Sequence, residues 1–358
     1  MSATSNAASR ARKVVRRLTG QTEIDALREA VSRGEADRFQ LQAMLDEHRG
    51  WVSSLEAAVA ERDGWVSDLE AELRKATDPE LHREWVPTGH YYSAVPSFDH
   101  LEHHRARIIG QDPWRVPGVD LRVDEQLSLA HKLSGLVSEA PFPDEPDDKW
   151  RYHFNNDFFA YTDGLFLHLL LRHLRPARVV EVGSGFSSAC LLDTAEHFLG
   201  GKVDFTFVEP YDERLRSLLR PEDESRVEIL NREVQDVDLG VYERLTADDL
   251  LLIDSTHTVK AGGDVNWLFF EVLPTLAPGV VVHVHDVLPG FEYPWGWLRQ
   301  GRAWSEAYLL RAFLQFNEAF EVLLWPSLLS ALDREGFAGR FRGYGEAQSG
   351  GSIYLRRR

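Results

Sequence analysis

The ten residues from Val179 to Ser188, VVEVGSGFSS, constrain the fold more than any other stretch of the chain. A run of β-branched residues ends on a carboxylate, passes through two glycines and enters a segment with helical spacing. This order predicts a buried parallel strand, a tight turn and the start of a helix. Because the first N–H groups of a helix lack partners within it, they face whatever lies above the turn. We therefore expect a ligand to bind there.

Four more strand patterns follow, each separated from the next by turns and helical segments. We predict these strands at residues 203–208, 226–230, 249–253 and 280–284. Strands that alternate with helices indicate a doubly wound α/β fold with a parallel sheet. Two later patterns, at 320–324 and 352–355, would add an antiparallel hairpin. Sheets of this kind bind ligands just beyond the carboxyl ends of their strands.

The charge balance argues against a nucleic-acid substrate. The chain has 40 basic and 57 acidic residues, a formal net charge of −17, and such a field repels phosphate backbones. Its one cysteine, Cys190, excludes an internal disulfide and favours a reducing, cytoplasmic location. No apolar run reaches transmembrane length, and the beginning of the sequence lacks the apolar region of a signal peptide.

The first 76 residues predict an arm and a long helix. Residues 1–20 are rich in Ser, Ala and Arg, so we expect a disordered basic arm, with contact to an anionic membrane as an open alternative. From Ile24 to Leu73, eleven of fifteen a and d positions of a seven-residue repeat are apolar. This repeat, within residues 21–76, predicts a left-handed coiled coil and a homo-oligomer. The alternative is a single charged helix that packs on the rest of its own chain.

Polar residues at the predicted strand ends are candidates for a site. Glu209 ends the second strand, where a carboxylate can accept hydrogen bonds from both hydroxyls of a ribose. Asp254 and His257 follow the fourth strand, and His285 and Asp286 follow the fifth. Asp254, His285 and Asp286 have ligand types that suit a divalent cation such as Mg²⁺ or Mn²⁺. Without a metal, Asp254 would cap a loop and the other two would form a local hydrogen-bonded pair.

The glycine turn has the form E-x-G-x-G, with Glu181, Gly183 and Gly185. This form resembles motif I of the class I S-adenosylmethionine (AdoMet) methyltransferases, whereas a dinucleotide fingerprint has a third glycine where this chain has Ser188. The resemblance covers about Tyr91 to Leu355. It implies a Rossmann-like seven-stranded sheet over residues 161–358, a linker and helical cap over 77–160, and glycines that accommodate the nucleoside. The implied AdoMet contacts are Glu181, Gly183, Ser184, Gly185, Glu209, Gln235 and Asp236.

The Asp-x-x-His of Asp254 and His257 resembles the site of the macrolide-sugar O-methyltransferases. In that group the histidine is the general base, and the aspartate holds magnesium with two acidic residues. His285 stands where one acid would be expected, which admits Mn²⁺ or no metal. The resemblance implies methyl transfer to a hydroxyl of a sugar or other small molecule, with His257 and Asp254 as catalytic residues. Aromatic residues from Phe291 to Trp304 would either contact sugar rings or close the edge of the domain.

Two other functions stay open at this point. One is a non-catalytic scaffold with the methyltransferase fold that organises a glycan-synthesis complex through its coiled coil. The other is a dinucleotide-linked reductase. The intact Glu181, Gly183, Gly185 and Glu209 favour ligand binding over a scaffold, and the missing third glycine disfavours a reductase.

Overall fold

The computed structural model describes residues 3–18, 20–77, 85–110, 112–341 and 350–358. The chain divides into two units, Met1–Trp85 and Val86–Arg358. None of the helices in the described ranges combines the length and apolar character needed to cross a lipid bilayer.

The first unit contains two helices, α1 (Ala3–Leu18) and α2 (Gln21–Thr77). Gly20 lies between them with a φ of +65°. We predicted a disordered arm over residues 1–20, but residues 3–18 form the helix α1. The physical reason is composition: alanine and arginine are among the strongest helix formers, and four residues of each lie between residues 3 and 18, which outweighs the low hydrophobicity.

α2 is a continuous helix of 57 residues, so the predicted long helix is confirmed. It runs through Gly34, Gly50 and Gly64, each of which weakens a helix by about 1 kcal/mol relative to alanine. Ten apolar side chains at a and d positions are 42–65% exposed in the single chain: Ile24, Leu27, Val31, Leu45, Val52, Leu55, Val59, Val66, Leu69 and Leu73. The pairing of this helix in a coiled coil stays a prediction.

The second unit is built on one seven-stranded sheet in the order β3-β2-β1-β4-β5-β7-β6. The strands are β1 (Arg178–Val182), β2 (Asp204–Val208), β3 (Val227–Leu230), β4 (Leu250–Ile253), β5 (Val281–Val284), β6 (Phe320–Leu324) and β7 (Ile353–Arg357). The first five are parallel, and β7 is antiparallel to both β5 and β6. The predicted α/β sheet with its terminal hairpin is therefore confirmed.

Helices precede and connect the strands. They are α3 (Phe98–Ile109), α4 (Val123–Ser134), α5 (Tyr161–Leu174), α6 (Phe186–Phe198), α7 (Glu213–Leu218), α8 (Gly240–Glu243), α9 (Asp264–Trp267), α10 (Leu273–Thr275), α11 (Trp295–Arg299), α12 (Glu306–Leu314), α13 (Pro326–Leu332) and α14 (Arg334–Arg340). A π-helical turn, Leu268–Val272, joins α9 to α10.

The sheet has a hydrophobic core on each face. Val180 and Leu251 belong to one core, whereas their neighbours Val179 and Leu252 belong to the other. Because side chains alternate between the faces of a strand, strands buried on both sides consist of continuous apolar runs. This burial explains why the central strands could be predicted from the sequence.

A buried ion-pair network connects the loop before α5 to Asp193 on α6 and to Asp223 in the segment before β3. The Arg151 side chain is 1% exposed, and its guanidinium donates to Asp193 and Asp223, each at 2.7 Å. The backbone N–H groups of Arg151 and Tyr152 donate to the same Asp193 carboxylate at 2.8 and 2.9 Å. The network therefore fixes the path of the chain just before Asp157, Phe158 and Phe159 reach the site described next.

Candidate active site

A cavity of about 810 Å³ lies at the carboxyl ends of β1, β4 and β5. It brings together most of the residues predicted for the site: Gly183, Ser184, Gly185, Glu209, Asp254, His257, His285 and Asp286. Phe158 and Phe159 form part of the wall, and Trp297, Arg302 and Trp304 form another part. Glu181, Gln235 and Asp236 are not among the lining residues.

Gly183 closes the turn after β1 against the loop after β4. Its φ is +82°, and an added Cβ would lie 1.7 Å from the carbonyl oxygen of Asp254. Its N–H donates to the Val208 carbonyl at 3.0 Å, and the Asp254 N–H donates to the Val182 carbonyl at 2.9 Å. A side chain at this position would collide with the protein itself. Glycine is thus required here by the close approach of two loops, in addition to any role toward a nucleoside.

Glu181 lies beneath the turn. Its side chain is fully buried and accepts a hydrogen bond from the Ser188 hydroxyl, which in turn accepts one from the Gly185 N–H at 3.0 Å. Burial raises the pKa of Glu181 to about 8, against the opposing effect of hydrogen bonds from Ser187 and Ser188. The carboxyl group therefore holds the turn together from below. Its direct contact with the methionine part of AdoMet stays a prediction.

Glu209 and Ser184 present polar atoms to the cavity. One Glu209 carboxylate oxygen accepts from the Ser184 N–H and the other from the Tyr211 N–H, both at 2.9 Å. The Ser184 hydroxyl is buried and has no hydrogen-bond partner among the described residues. A fixed carboxylate beside an unpartnered hydroxyl fits the hydroxyl-rich ribose of a nucleoside.

Gln235 and Asp236 are not among the residues that line the cavity. The Gln235 side-chain amide donates to the Gly262 carbonyl at 2.8 Å, so it ties the loop after β3 to the loop before α9. The contacts with adenine that the resemblance implies for these two residues stay a prediction.

His257 is the centre of a cluster of charged side chains. Its Nδ1 lies 2.9 Å from Glu306 Oε2, and its Nε2 lies 3.3 Å from Asp254 Oδ1 and 3.6 Å from Asp286 Oδ2. His285 Nε2 lies 3.6 Å from Asp286 Oδ1. The predicted residues after β4 and β5 do converge, and they do so around one imidazole ring.

Two residues of this cluster have strained backbones. The φ angles of His257 and Asp286 are +57° and +56°, in the left-handed region that residues other than glycine seldom adopt. The carbonyl of His257 accepts hydrogen bonds from the N–H groups of Ser305 and Glu306 at 2.8 and 3.1 Å. Strain of this kind persists only where surrounding contacts hold it, and it is concentrated at functional sites.

The cluster shifts the pKa values of its members. Burial disfavours the charged form of His257, but hydrogen bonds with Asp254 and Glu306 outweigh burial and raise its pKa to about 10. For Asp254, burial is outweighed by the nearby His285 and His257, and its pKa is lowered. Burial raises the pKa of Asp286 and of Glu306. At neutral pH His257 therefore carries its proton beside the Asp254 carboxylate.

A metal centre does not fit this arrangement. Within the described ranges, no group of three or more His, Cys, Asp or Glu side chains is arranged to hold a metal ion. The His257 ring lies within 3.6 Å of both Asp254 and Asp286, so a protonated imidazole already offsets part of their negative charge. The predicted site of Asp254, His285 and Asp286 is thus not supported, and no catalytic step is assigned to a metal.

Sequence reasoning missed two carboxylates of the site. Glu306 is bonded to His257 across 49 positions of sequence. Asp163, at the start of α5, lines the cavity and accepts from the N–H groups of Gly351 and Ser352 at 3.0 Å. The Gly351 carbonyl accepts from Val287 N–H at 2.8 Å, so Asp163 holds β7 beside the cluster. Glu306 and Asp163 are both acidic residues near the start of a helix. The sequence around them does not indicate which residue each one contacts.

The chain has similarity to known proteins in its second unit. A family model described as "Methyltransferase domain" matches residues 180–287. An uncharacterized protein of Archaeoglobus fulgidus is 32% identical over 164 residues, which make up 44% of this chain and 73% of that protein.

Two solved structures that resemble the chain are methyltransferases. One is the SAH-bound Podospora anserina methyltransferase, with 13% identity, a TM-score of 0.37 and coverage of 77% of this chain and 99% of that one. The other is a putative O-methyltransferase from Klebsiella pneumoniae, with 14% identity, a TM-score of 0.36 and coverage of 72% and 96%.

The matched region contains the glycine turn, Glu209 and the members of the His257 cluster other than Glu306. The strands next to these residues have the sheet order that the E-x-G-x-G resemblance implies. Residues 180–287 of the chain therefore form a methyltransferase domain.

Proposed function

We propose that this methyltransferase transfers the methyl group of AdoMet to a hydroxyl of a sugar or other small hydroxylated molecule, with His257 as the proton acceptor. The observation that carries the proposal is the position of His257, between three carboxylates on the wall of the cavity that also contains the glycine turn. A hydroxyl is a poor nucleophile until its proton leaves, so this reaction needs a base at the acceptor.

AdoMet supplies a methyl group on a positively charged sulfonium, so the protein need not activate the carbon. The resting His257 has a pKa of about 10 and must lose its proton before it can act as a base. A positive charge near an imidazolium lowers its pKa. Binding of a cationic ligand in this cavity therefore favours the neutral ring, which can accept the proton of the hydroxyl. Asp254 and Glu306 keep the ring oriented and stabilise it when it is protonated again.

Proton release during AdoMet binding tests this role without an acceptor. Titration calorimetry at pH 7 in buffers of different ionisation enthalpy measures the protons released. We expect release from the wild type and none from His257→Gln, with AdoMet still bound by both. An exposed histidine gives the control, His100→Ala on α3, which should behave as the wild type. Binding without proton release in the wild type would contradict the role of His257.

The acceptor is best sought among nucleotide sugars and sugar-bearing metabolites, with formation of the demethylated cofactor as the readout. The Trp304 ring lies 4.5 Å from the His257 ring, and the Arg302 guanidinium lies over both Trp297 and Trp304. Flat aromatic faces at this distance from the base suit the C–H faces of a sugar ring. Trp304→Ala should weaken acceptor binding and leave AdoMet affinity unchanged. Loss of AdoMet binding instead would assign Trp304 to the cofactor.

We also propose that α2 assembles the enzyme into a homo-oligomer. The support is the row of exposed apolar residues at a and d positions, which extends over seven heptads from Ile24 to Leu73. Val52→Asp with Val66→Asp places charges at two a positions. The neighbouring Ser53→Asp with Ser67→Asp places the same charges outside the seam. Light scattering should show a smaller assembly for the first pair alone. A wild-type monomer at micromolar concentration would contradict the proposal.

A further inference from the structure

The charge of α1 is opposite to that of the chain as a whole. Between residues 3 and 18 the sequence has five basic residues and no acidic one: Arg10, Arg12, Lys13, Arg16 and Arg17. The whole chain has a net charge of −17, and the following helix, α2, has thirteen acidic and seven basic residues. A net charge of +5 on α1 is therefore followed along the chain by a net charge of −6 on α2.

The pattern of α1 separates these cations from the apolar residues. At about 100° per residue, one half of the helix circumference contains Ala3, Thr4, Ala7, Ala8, Ala11, Val14, Val15 and Leu18. The other half contains all five basic residues with Ser5, Asn6 and Ser9. The side chains of Val14 and Val15 are 55% and 58% exposed. α1 is thus an amphipathic helix with a cationic half and an apolar half.

The apolar half of α1 does not continue the seam of α2. When the heptad is extended backwards from Ile24, Arg10 and Arg17 fall at a positions, and Lys13 falls at a d position. Charged residues in three successive seam positions would oppose pairing. Gly20, with a φ of +65°, also interrupts the helix. A second copy of the chain, paired through the same repeat, is therefore not the partner of this apolar half.

A nucleic acid would engage only half of this helix. Phosphate contacts use the basic residues, but they leave the apolar half in water. An anionic lipid surface engages both halves. Its headgroups attract the cations, and the boundary between headgroups and acyl chains accepts the apolar residues.

We propose that α1 is an interfacial helix that binds an anionic membrane surface. It lies in the plane of the surface, with Val14, Val15 and the alanines toward the acyl chains and the basic residues toward the lipid phosphates. Alanines bury little apolar area, so the binding depends on the charges and is reversible. The inference concerns α1 alone and does not depend on the reaction catalysed by the second unit.

Vesicle flotation of the full chain tests the proposal. We expect binding to phosphatidylcholine vesicles that contain phosphatidylglycerol, weakening as salt is added, and little binding to phosphatidylcholine alone. Each cation contributes a roughly fivefold increase in partitioning. Arg12→Gln with Arg16→Gln should therefore weaken binding by roughly 25-fold. The control Arg28→Gln with Arg33→Gln makes the same change of charge on α2 and should leave binding near that of the wild type.

A second variant separates an amphipathic helix from a simple cationic tether. Val14→Arg with Arg16→Val keeps the composition and net charge but moves a cation into the apolar half. We expect it to bind at least tenfold more weakly than the wild type, with AdoMet binding as the check that the second unit is folded. Equal binding by this variant would overturn the proposal. So would equal binding of the wild type to neutral vesicles, no binding to anionic ones, or preferential binding to duplex RNA.

Discussion

Two buried clusters of charge in the second unit differ in how completely they are paired. Around Arg151, Nε and Nη2 bond to Asp223, Nη1 bonds to Asp193, and Nη2 also bonds to Glu196. Around His257, by contrast, Glu306 Oε1 and the Nδ1 of His285 are buried without hydrogen-bond partners among the described residues. The first cluster is closed on itself, whereas the second opens onto a cavity.

The difference separates a structural use of charge from a chemical one. A closed network leaves no group free to bind or to exchange a proton, so it can only stabilise the fold. Unpartnered buried groups and strained backbones cost stability, and of these two clusters only that of His257 contains them. The same residue types thus indicate a site only where their pairing is incomplete.

Removing the centre of the closed cluster should have the largest effect on stability. Arg151→Leu leaves Asp193 and Asp223 buried without their cation, which we expect to lower the free energy of unfolding by about 3–5 kcal/mol. Denaturant unfolding of the full chain measures this change. His257→Leu is the matched variant, and we expect a smaller loss of stability with a fall in turnover of about 10²–10⁴-fold. A stable Arg151→Leu, or an active His257→Leu, would remove the distinction between the clusters.

Glu306→Gln should move the pH dependence of turnover. The Glu306 carboxylate helps to raise the pKa of His257, so its neutral replacement lowers that pKa. Because the neutral ring is the base, turnover increases as pH rises through this pKa, and the variant should reach its plateau at lower pH. The control is Glu196→Gln in the Arg151 cluster, which should leave the pH profile unchanged. A profile of Glu306→Gln that coincides with the wild type would contradict the assignment of the base.

Glu209→Ala should have an intermediate effect, limited to the cofactor. The carboxylate is fixed by two backbone N–H groups and faces the cavity. Loss of its hydrogen bonds to a ribose should weaken AdoMet binding by about 1–3 kcal/mol, measured by calorimetry. Glu213→Ala at the start of α7 is an exposed control of the same chemistry. Equal AdoMet affinity in the two variants would exclude Glu209 from the cofactor site.

Chelation should have the smallest effect. Since the His257 ring lies between Asp254 and Asp286, its proton offsets part of their negative charge without a metal, and we expect turnover to be unchanged in the presence of a chelator. The comparison requires wild-type enzyme with and without added Mg²⁺ or Mn²⁺. A loss of turnover that either ion restores would support the metal site predicted from the sequence instead of the imidazolium described above.

The sheet could be predicted because strands that are buried on both faces consist mostly of apolar residues. Leu250–Ile253 is a short apolar run bounded by polar residues, and Val179–Val182 is apolar except for the buried Glu181. Both strands begin and end within two residues of the predicted bounds. The convergence of Asp254, His257, His285 and Asp286 follows from the same topology, because adjacent parallel strands bring their carboxyl ends together. Local pattern and sheet geometry were sufficient for these features.

Other parts of the site depend on contacts that no local pattern encodes. The bond between His257 and Glu306 requires α12 to begin beside the loop after β4. The path of Gln235 depends on its bond to the Gly262 carbonyl, which spacing along the chain does not specify. For α1, low hydrophobicity suggested disorder, although the separation of its cations from its apolar residues was already present in the sequence.

The position of β7 has a consequence for how the protein is made. β7 inserts between β5 and β6, although it follows both in the chain, and Gly351 beside it contacts the backbone next to Asp286. About 70 residues separate the end of β5 from β7, so a ribosome working at about 5–20 residues per second takes roughly 3–14 s to supply the missing strand. During that interval β5 is an unpaired edge that can join a neighbouring nascent chain. The contacts of Asp163 with Gly351 and Ser352 beside the cavity therefore form only after the chain has been made as far as β7.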